Sequence, residues 1–262
     1  MLAWWRRRRE ERRLQTLHLT AAHWEAAIAD WPVAARYRGA ARERLRELSL
    51  RLLLRKEFVG IHGLAIDDAM CLRIATMAAV PVLELGLGWY DDWVTVLVYP
   101  EAFVPSHDRE DEFGIVHTER EPLTGETSAQ GPVLLSWADV LDANGEDAYN
   151  VVIHEMAHKL DLCGVGGTNG APPLHPGMDP AAWAAAFSAA WDDLDAREAA
   201  GREGPIDPYA LQDAGEFFAV VSECFFEAPQ RLAAAWPAVY DQLRAFYRQD
   251  PLGRRQDPLG RP

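Results

Sequence analysis

Two histidines and a glutamate in the middle of the chain have the types and spacing found in metal-dependent hydrolases. His154 and His158 are four residues apart, so a helix places them one above the other on a single face. Glu155 follows the first histidine, on an adjoining flank. In this His-Glu-x-x-His arrangement the two imidazole nitrogens bind zinc, and the glutamate takes a proton from a water that the metal activates. The pattern therefore predicts a zinc site with a general base beside it.

The residues around the motif have the period of an amphipathic helix running from Tyr149 to Asp161. Its apolar positions at i, i+3, i+4, i+7 and i+11 are Tyr149, Val152, Ile153, Met156 and Leu160. We expect this stripe to pack into a core and the histidines to lie on the other side. The alternative is a solvated helix with two surface histidines, and the stripe opposite the motif favours the metal site.

A zinc site also needs a third protein ligand and an open position for water. One large subclass of these enzymes has a third histidine six residues after the second, but that position here is Gly164. The remaining candidates are His175, Asp207, Glu216 and Glu223. His175 in a proline-rich loop and Asp207 directly before a proline are the weaker two.

The two candidate glutamates share one flank, at i and i+7, of a second predicted amphipathic helix, Asp213 to Glu227. The apolar positions of that helix are Phe217, Val220, Val221, Cys224 and Phe225. Such a helix can lie against the histidine-bearing helix and offer a carboxylate ligand. A capping box with Asp213 is the competing account of Glu216, so spacing alone does not separate Glu216 from Glu223.

The rest of the chain predicts a mostly helical α+β domain with a small sheet packed on the histidine-bearing helix. Three short segments ahead of that helix have strand character: Val94–Tyr99, Gly114–Thr118 and Pro132–Trp137. Other amphipathic segments predict two helices between Thr20 and Lys56, then helices at Asp67–Ala79, Asp179–Ala200 and about Pro237–Arg248.

The composition excludes several classes of function. With 49% hydrophobic and 25% charged residues, the 262-residue chain is an ordinary globular one. A net charge of −14 argues against a general nucleic-acid binder, because affinity for the phosphate backbone needs a basic surface. No apolar run is long enough to span a membrane. Three widely separated cysteines, Cys71, Cys163 and Cys224, make a disulfide framework improbable and a reducing cytoplasm the expected compartment.

The two ends differ in composition from the middle. Met1 to Gln15 holds six arginines and two glutamates without a following apolar run, so we expect neither a secretory signal nor a membrane anchor there. We expect residues 1–19 to form a flexible arm, with contact to an acidic partner as the less favoured role. Residues 20–250 are expected to form the metallopeptidase domain, and residues 251–262 a disordered tail.

Three downstream segments are specific in combination: Val152–Asp161, Ile206–Ala210 and Glu216–Glu223. Shorter matching pieces precede them at Pro81–Leu87, Val98–Pro100 and Gln130–Leu134. Together these segments resemble the Mlc titration factor A family of zinc metallopeptidases. The resemblance covers roughly residues 57 to 252 and leaves the arginine-rich start outside.

The resemblance implies a set of roles for individual residues. It implies that His154, His158 and Glu216 bind one zinc ion, which separates Glu216 from Glu223. It also implies that Glu155 is the catalytic base and that Tyr209 assists as a hydrogen-bond donor. Glu223 is then expected to orient one of the ligands.

The resemblance further implies a zincin-like, gluzincin-like core and a cytoplasmic protein with aminopeptidase-type activity on peptides. Members of the family bind a glucose-responsive transcriptional repressor, so a repressor protein is an expected partner. The alternative is a regulatory binding protein whose zinc site is structural or vestigial. The presence of Glu155 favours the enzyme, since a structural site needs ligands but no base.

Overall fold

A computed structural model describes residues 10–14, 17–101, 107–110, 116–119, 130–143 and 147–256 of the chain. Its α-helices are Ala21–Ala27, Gly39–Arg55, Asp68–Ala79, Trp137–Asp142, Val151–Asp161, Pro180–Ala199, Ala214–Glu227, Pro229–Ala235, Pro237–Tyr247 and Pro251–Gln256. Single 3-10 turns lie at Pro32–Arg36, Leu87–Tyr90 and Pro208–Leu211. We call Val151–Asp161 the histidine helix and Ala214–Glu227 the glutamate helix.

A small parallel sheet accompanies these helices. Strands β1 (Glu57–Gly60), β2 (Thr95–Tyr99) and β5 (Val133–Ser136) pair in the order β1-β2-β5. Strands β3 (His107–Glu110) and β4 (Val116–Glu119) form a separate antiparallel pair. Strand β5 lies against the histidine helix, which confirms the predicted mostly helical α+β architecture.

The predicted strands are found with shifted bounds. Strands β2 and β5 correspond to Val94–Tyr99 and Pro132–Trp137, except that Trp137 begins a helix whose N-cap is Ser136. The third predicted strand, Gly114–Thr118, overlaps β4 from residue 116 onward, and its first two residues lie outside the described part of the chain.

The histidine helix buries most of its predicted apolar stripe. Val152, Ile153, Met156 and Leu160 are all buried in the main core. Tyr149 does not belong to this stripe: it is 40% exposed and precedes the helix. Asn150, in an extended conformation, is the N-cap and accepts the backbone N–H of Ile153, so the helical period starts only after it.

The glutamate helix is the most enclosed element of the described chain. Every residue from Gly215 to Glu227 is buried, as expected of a helix covered on all sides. The histidine helix packs along one of these sides. Since Asn150 at the start of the histidine helix meets the end of the glutamate helix, the two helices run antiparallel.

Helical segments lie within both of the end regions that the sequence analysis separates from the domain. Residues 10–14 are helical, and the Glu10 carboxylate contacts Arg51 and Arg55 at 3.1 and 2.6 Å. The structure differs from the predicted disordered tail at Pro251–Gln256, which is a helix because Asp250 accepts the backbone N–H of Gly253 and Leu252 packs on the core. Residues 1–9 and 257–262 lie outside the described chain.

The three cysteines of the chain are free thiols. None of the helices in the described ranges combines the length and apolar character needed to traverse a bilayer.

The loop after the histidine helix passes close to the start of the glutamate helix at Gly170. The backbone N–H of Gly170 donates to Oδ2 of Asp161 at 2.7 Å, and the φ of Gly170, +73°, lies in the left-handed region. A Cβ added there would lie 2.4 Å from the carbonyl oxygen of Ala214. The close approach of these two backbone segments therefore requires glycine.

We expect Gly170→Ala to destabilise the fold more than Gly167→Ala. Both glycines have a positive φ, but nothing lies within 4 Å of a Cβ at Gly167. Backbone strain alone should cost Gly167→Ala about 1–2 kcal/mol, and the clash should cost Gly170→Ala roughly 1–3 kcal/mol more. Denaturant unfolding of the two variants measures the difference, and equal losses would contradict the close approach.

Candidate metal centre

Three side chains from the two antiparallel helices converge on one point. Nε2 of His154 lies 3.1 Å from Nε2 of His158 and 3.1 Å from Oε2 of Glu216. The other Glu216 oxygen, Oε1, lies 3.4 Å from Nε2 of His158. These are the only three residues of the described chain whose ligand-type atoms gather closely enough to hold a metal ion.

The spacing of these atoms fits a tetrahedral zinc ion. Ligand bonds of about 2.0–2.1 Å at tetrahedral angles put neighbouring donor atoms about 3.3 Å apart. Two imidazole nitrogens facing each other also need a cation or a shared proton between them. Within the described residues, Oε2 of Glu216 is buried without a hydrogen-bond partner despite its short distance to His154. A metal bound to all three groups would satisfy each of these atoms.

Glu216 reaches this position from the first turn of the glutamate helix. Asp213 is the N-cap, and its Oδ1 accepts the backbone N–H of Glu216 at 2.9 Å. The side chain of Glu216 is directed to the histidines, so the cap and the contact with the histidines use different parts of the residue. Among the four candidates for the third ligand, Glu216 is the one whose carboxylate lies next to the Nε2 atoms of the two histidines.

The other candidates lie elsewhere. Glu223 contacts the opposite nitrogen of His154, with 2.8 Å between Oε1 and Nδ1. Nε2 of His175 lies 2.8 Å from the carbonyl oxygen of Phe246. Oδ1 of Asp207 accepts the backbone N–H of Tyr209 at 2.8 Å. In this arrangement none of these three side chains is directed at the point where the two Nε2 atoms meet.

The carboxylates dominate the electrostatics of the centre. Burial lowers the pKa of His154, but the close contact with Glu216, the hydrogen bond to Glu223 and the charge of Glu223 raise it well above its usual value. For Glu216, burial raises the pKa, whereas the close contacts with both histidines lower it by more, so the net shift is strongly downward. The cluster is built around negative charge and favours a bound cation.

A cleft of about 620 Å³ opens beside the centre. Its lining residues are Asp147, Ala148, Tyr149, Val151, His154, Glu155, Ile206, Asp207, Tyr209, Val220 and Glu223. The Tyr209 ring centroid is 6.3 Å from that of His154, and burial, with the charge of Glu216, raises the pKa of its hydroxyl to about 12. The predicted base, Glu155, and the predicted hydrogen-bond donor therefore share one cleft with His154.

Sequence reasoning missed two features of this site. The apolar spacing predicts a core position for Tyr149, yet this residue forms part of the cleft wall. Asn150 and Glu227 were not singled out, although their side chains are joined by a buried hydrogen bond of 2.6 Å. An asparagine directly before Val151 is a recognisable N-cap signal, but no local pattern indicates its distant partner.

Comparison with known proteins identifies the family of the chain. The sequence profile of the glucose-regulated metallo-peptidase M90 family matches residues 2–248. Mlc titration factor A of Edwardsiella ictaluri (strain 93-146) is 41% identical over 233 residues, covering 88% of each chain. Mlc titration factor A of Yersinia pestis (strain Pestoides F) is 39% identical over 235 residues, covering 89% of this chain and 86% of that protein. The chain therefore belongs to the glucose-regulated metallo-peptidase M90 family.

This result confirms the family resemblance seen in the sequence and corrects its extent. The match begins at residue 2, so the arginine-rich start, which the sequence analysis placed outside, is part of the region shared with the family.

The geometry predicts different effects of removing the two carboxylates. Glu216→Ala should release zinc, because it removes one of three converging donors. Glu223→Ala should weaken zinc binding by about 10- to 100-fold, since it removes only the partner of Nδ1 of His154. Competition with a chelator measures both affinities, and equal zinc retention in the two variants would mean that the third ligand is a different residue.

Proposed function

We propose that this member of the M90 family is a zinc-dependent metallopeptidase with a zincin-like core, acting in the cytoplasm as an aminopeptidase-type enzyme on peptides. The single observation that supports it best is the convergence of His154, His158 and Glu216 beside a cleft that also contains Glu155. A purely structural zinc site needs no such cleft and no additional carboxylate facing it.

In the proposed reaction the protein first positions the metal and the peptide. His154, His158 and Glu216 would hold one zinc ion, and Glu223, which lies 2.8 Å from Nδ1 of His154, would keep that ring in the orientation that directs Nε2 towards the other two donors. Zinc, when bound, lowers the pKa of water from 15.7 to about 7 and so supplies a nucleophile at neutral pH. The half-buried Glu155 lines the cleft beside His154 and remains available for proton transfer.

Glu155 is the proposed general base and then the general acid. It accepts a proton from the attacking water, whose oxygen forms a bond to the carbonyl carbon of the peptide. It returns that proton to the amide nitrogen as the carbon–nitrogen bond breaks, so the leaving group departs as a neutral amine. Both transfers use the same carboxylate, which ends the cycle ionised as it began.

Tyr209 is the proposed donor to the oxygen that becomes negatively charged. Burial raises the pKa of its hydroxyl to about 12, so the proton is held even more firmly at neutral pH than in an ordinary tyrosine. The residue is 38% exposed at the wall of the cleft, where a substrate can reach it. A donor of this kind contributes roughly 3 kcal/mol to the stabilisation of the transition state.

The lining of the cleft supports a peptide rather than an anionic substrate. Its apolar part includes Tyr149, Val151 and Ile206, which suit an apolar side chain. Its lining includes four carboxylates and no lysine or arginine: Asp147, Glu155, Asp207 and Glu223. A ligand that carries a free amino group is therefore favoured over one that carries a carboxylate at the same position.

We predict that Glu155→Gln retains zinc but loses peptide hydrolysis, because the amide cannot accept the proton. The value of kcat for an alanyl or leucyl chromogenic anilide should fall by about 10²- to 10⁴-fold while the zinc content stays at one per chain. Undiminished turnover by this variant would contradict the peptidase proposal. His154→Ala is the control that should lose both zinc and activity.

A second proposed function is binding of a transcriptional repressor. The relatives that resemble this chain are named Mlc titration factor A, which supports a repressor of the Mlc type as the partner. A non-catalytic protein that acts only by sequestering this repressor is the alternative to the enzyme.

Repressor binding should be separable from the metal centre if both functions exist. We expect His154→Ala to retain purified Mlc-type repressor in a pull-down as well as the wild type does, although it loses hydrolysis. Failure of the wild-type chain to retain the repressor would contradict this second function and leave the enzyme proposal unaffected.

A further inference from the structure

The fully buried Asn150 is hydrogen-bonded to two carboxylates of the glutamate helix at once. Its backbone N–H donates to Oε2 of Glu223 at 2.6 Å, and its side-chain Nδ2 donates to Oε1 of Glu227 at 2.6 Å. Its side-chain Oδ1 accepts the backbone N–H of Ile153 at 3.0 Å. Every polar group of the asparagine side chain is therefore held by a partner, and its orientation is fixed.

The two carboxylates need the hydrogen bonds that Asn150 donates to them. Glu223 and Glu227 are one turn apart on the same helix, and both are buried. Burial, with the charge of Glu223, raises the pKa of Glu227 to about 7 despite its hydrogen bonds. Two acids in such proximity are stable only when donors are placed against them, and Asn150 supplies one to each.

Glu223 connects this arrangement to the metal centre. Its other oxygen, Oε1, lies 2.8 Å from Nδ1 of His154. A carboxylate at Nδ1 favours a proton on that nitrogen, and in the neutral imidazole this leaves Nε2, which faces His158 and Glu216, as the metal-binding atom. A displaced Glu223 would release the His154 ring and its tautomer together.

Glu227 connects these hydrogen bonds to the 3-10 turn Pro32–Arg36 and to Trp31 at its start. The indole N–H of Trp31 donates to Oε1 of Glu227 at 3.0 Å, and a guanidinium nitrogen of Arg36 donates to the Glu227 carbonyl oxygen at 2.6 Å. A continuous row of hydrogen bonds therefore runs from Trp31 through Glu227, Asn150 and Glu223 to His154.

We propose that Asn150 and Glu227 are positioning residues, which hold Glu223 against His154 and thereby set the affinity of the site for zinc. Neither residue belongs to the three converging donors, and both act through Glu223. The inference rests on the proposed zinc site. Measuring zinc binding by the wild-type chain tests that site, and comparing the variants with the wild type tests the positioning roles.

The first test removes the connection while keeping the fold. Asn150→Ser retains a good N-cap and the backbone N–H to Glu223, but it loses the donor to Glu227. Glu227→Met removes the acceptor at similar volume, whereas Glu227→Gln retains an acceptor oxygen and is the conservative rescue. By competition with a chelator, Asn150→Ser and Glu227→Met should bind zinc about 10-fold more weakly than the wild type, and Glu227→Gln within about 3-fold of it.

The second test uses two matched tryptophans to separate positioning from general destabilisation. Trp24 and Trp31 are both buried, and each donates its indole N–H to a buried acceptor. The acceptor of Trp24 is Oγ1 of Thr76 at 2.9 Å, outside the row that reaches His154. Trp31→Phe and Trp24→Phe should lower Tm by similar amounts, but only Trp31→Phe should speed the release of zinc to a chelator, by about 3-fold or more.

Wild-type zinc affinity in both Asn150→Ser and Glu227→Met would overturn the inference, even if the wild-type chain binds zinc and hydrolyses peptides as proposed. Equal acceleration of zinc release by Trp24→Phe and Trp31→Phe would also overturn it, because the effect would then follow stability alone. A wild-type chain that binds no zinc would overturn the proposed function and this inference together.

Discussion

The packing of the histidine helix against the glutamate helix is the constraint on which the candidate site depends. The two helices run antiparallel, and three carboxylates of one face the polar groups of the other: Glu216, Glu223 and Glu227. Glu216 meets both histidines, Glu223 meets His154 and the Asn150 backbone, and Glu227 meets the Asn150 side chain. Buried carboxylates are costly unless each has its own partner, so this pairing fixes the register of the helices.

The same constraint holds the donor side chains of the site in place. Apolar side chains such as Val152, Met156 and Phe218 bury the remaining faces of the two helices. A shift of one helix along the other would leave several buried polar groups unpaired at once. At the far end of the histidine helix, Gly170 holds the following loop to Asp161 and approaches the Ala214 backbone. The centre thus lies between two attachments, one at each end of the histidine helix, which favours rigid placement of its donors.

The local part of this arrangement was predictable from the sequence, and the long-range part was not. Spacing alone predicted the histidine helix, its buried stripe and a second helix with two candidate carboxylates. Spacing failed at Tyr149, because Asn150 is the N-cap and the helix begins only at Val151, two residues after the apolar period starts. Spacing also left Glu216 and Glu223 unresolved, since both lie on one flank and only the axial offset between the helices separates them. The contact of Trp31 with Glu227 joins residues 196 apart in the sequence, and no periodicity reports such a pair.

The most direct test of the account is a crystal structure of the zinc-loaded protein with anomalous diffraction measured at the zinc absorption edge. The account predicts one zinc peak, bound by Nε2 of His154, Nε2 of His158 and a carboxylate oxygen of Glu216, with Glu223 on Nδ1 of His154. A zinc peak on other residues, or coordination by Glu223 in place of Glu216, would contradict it.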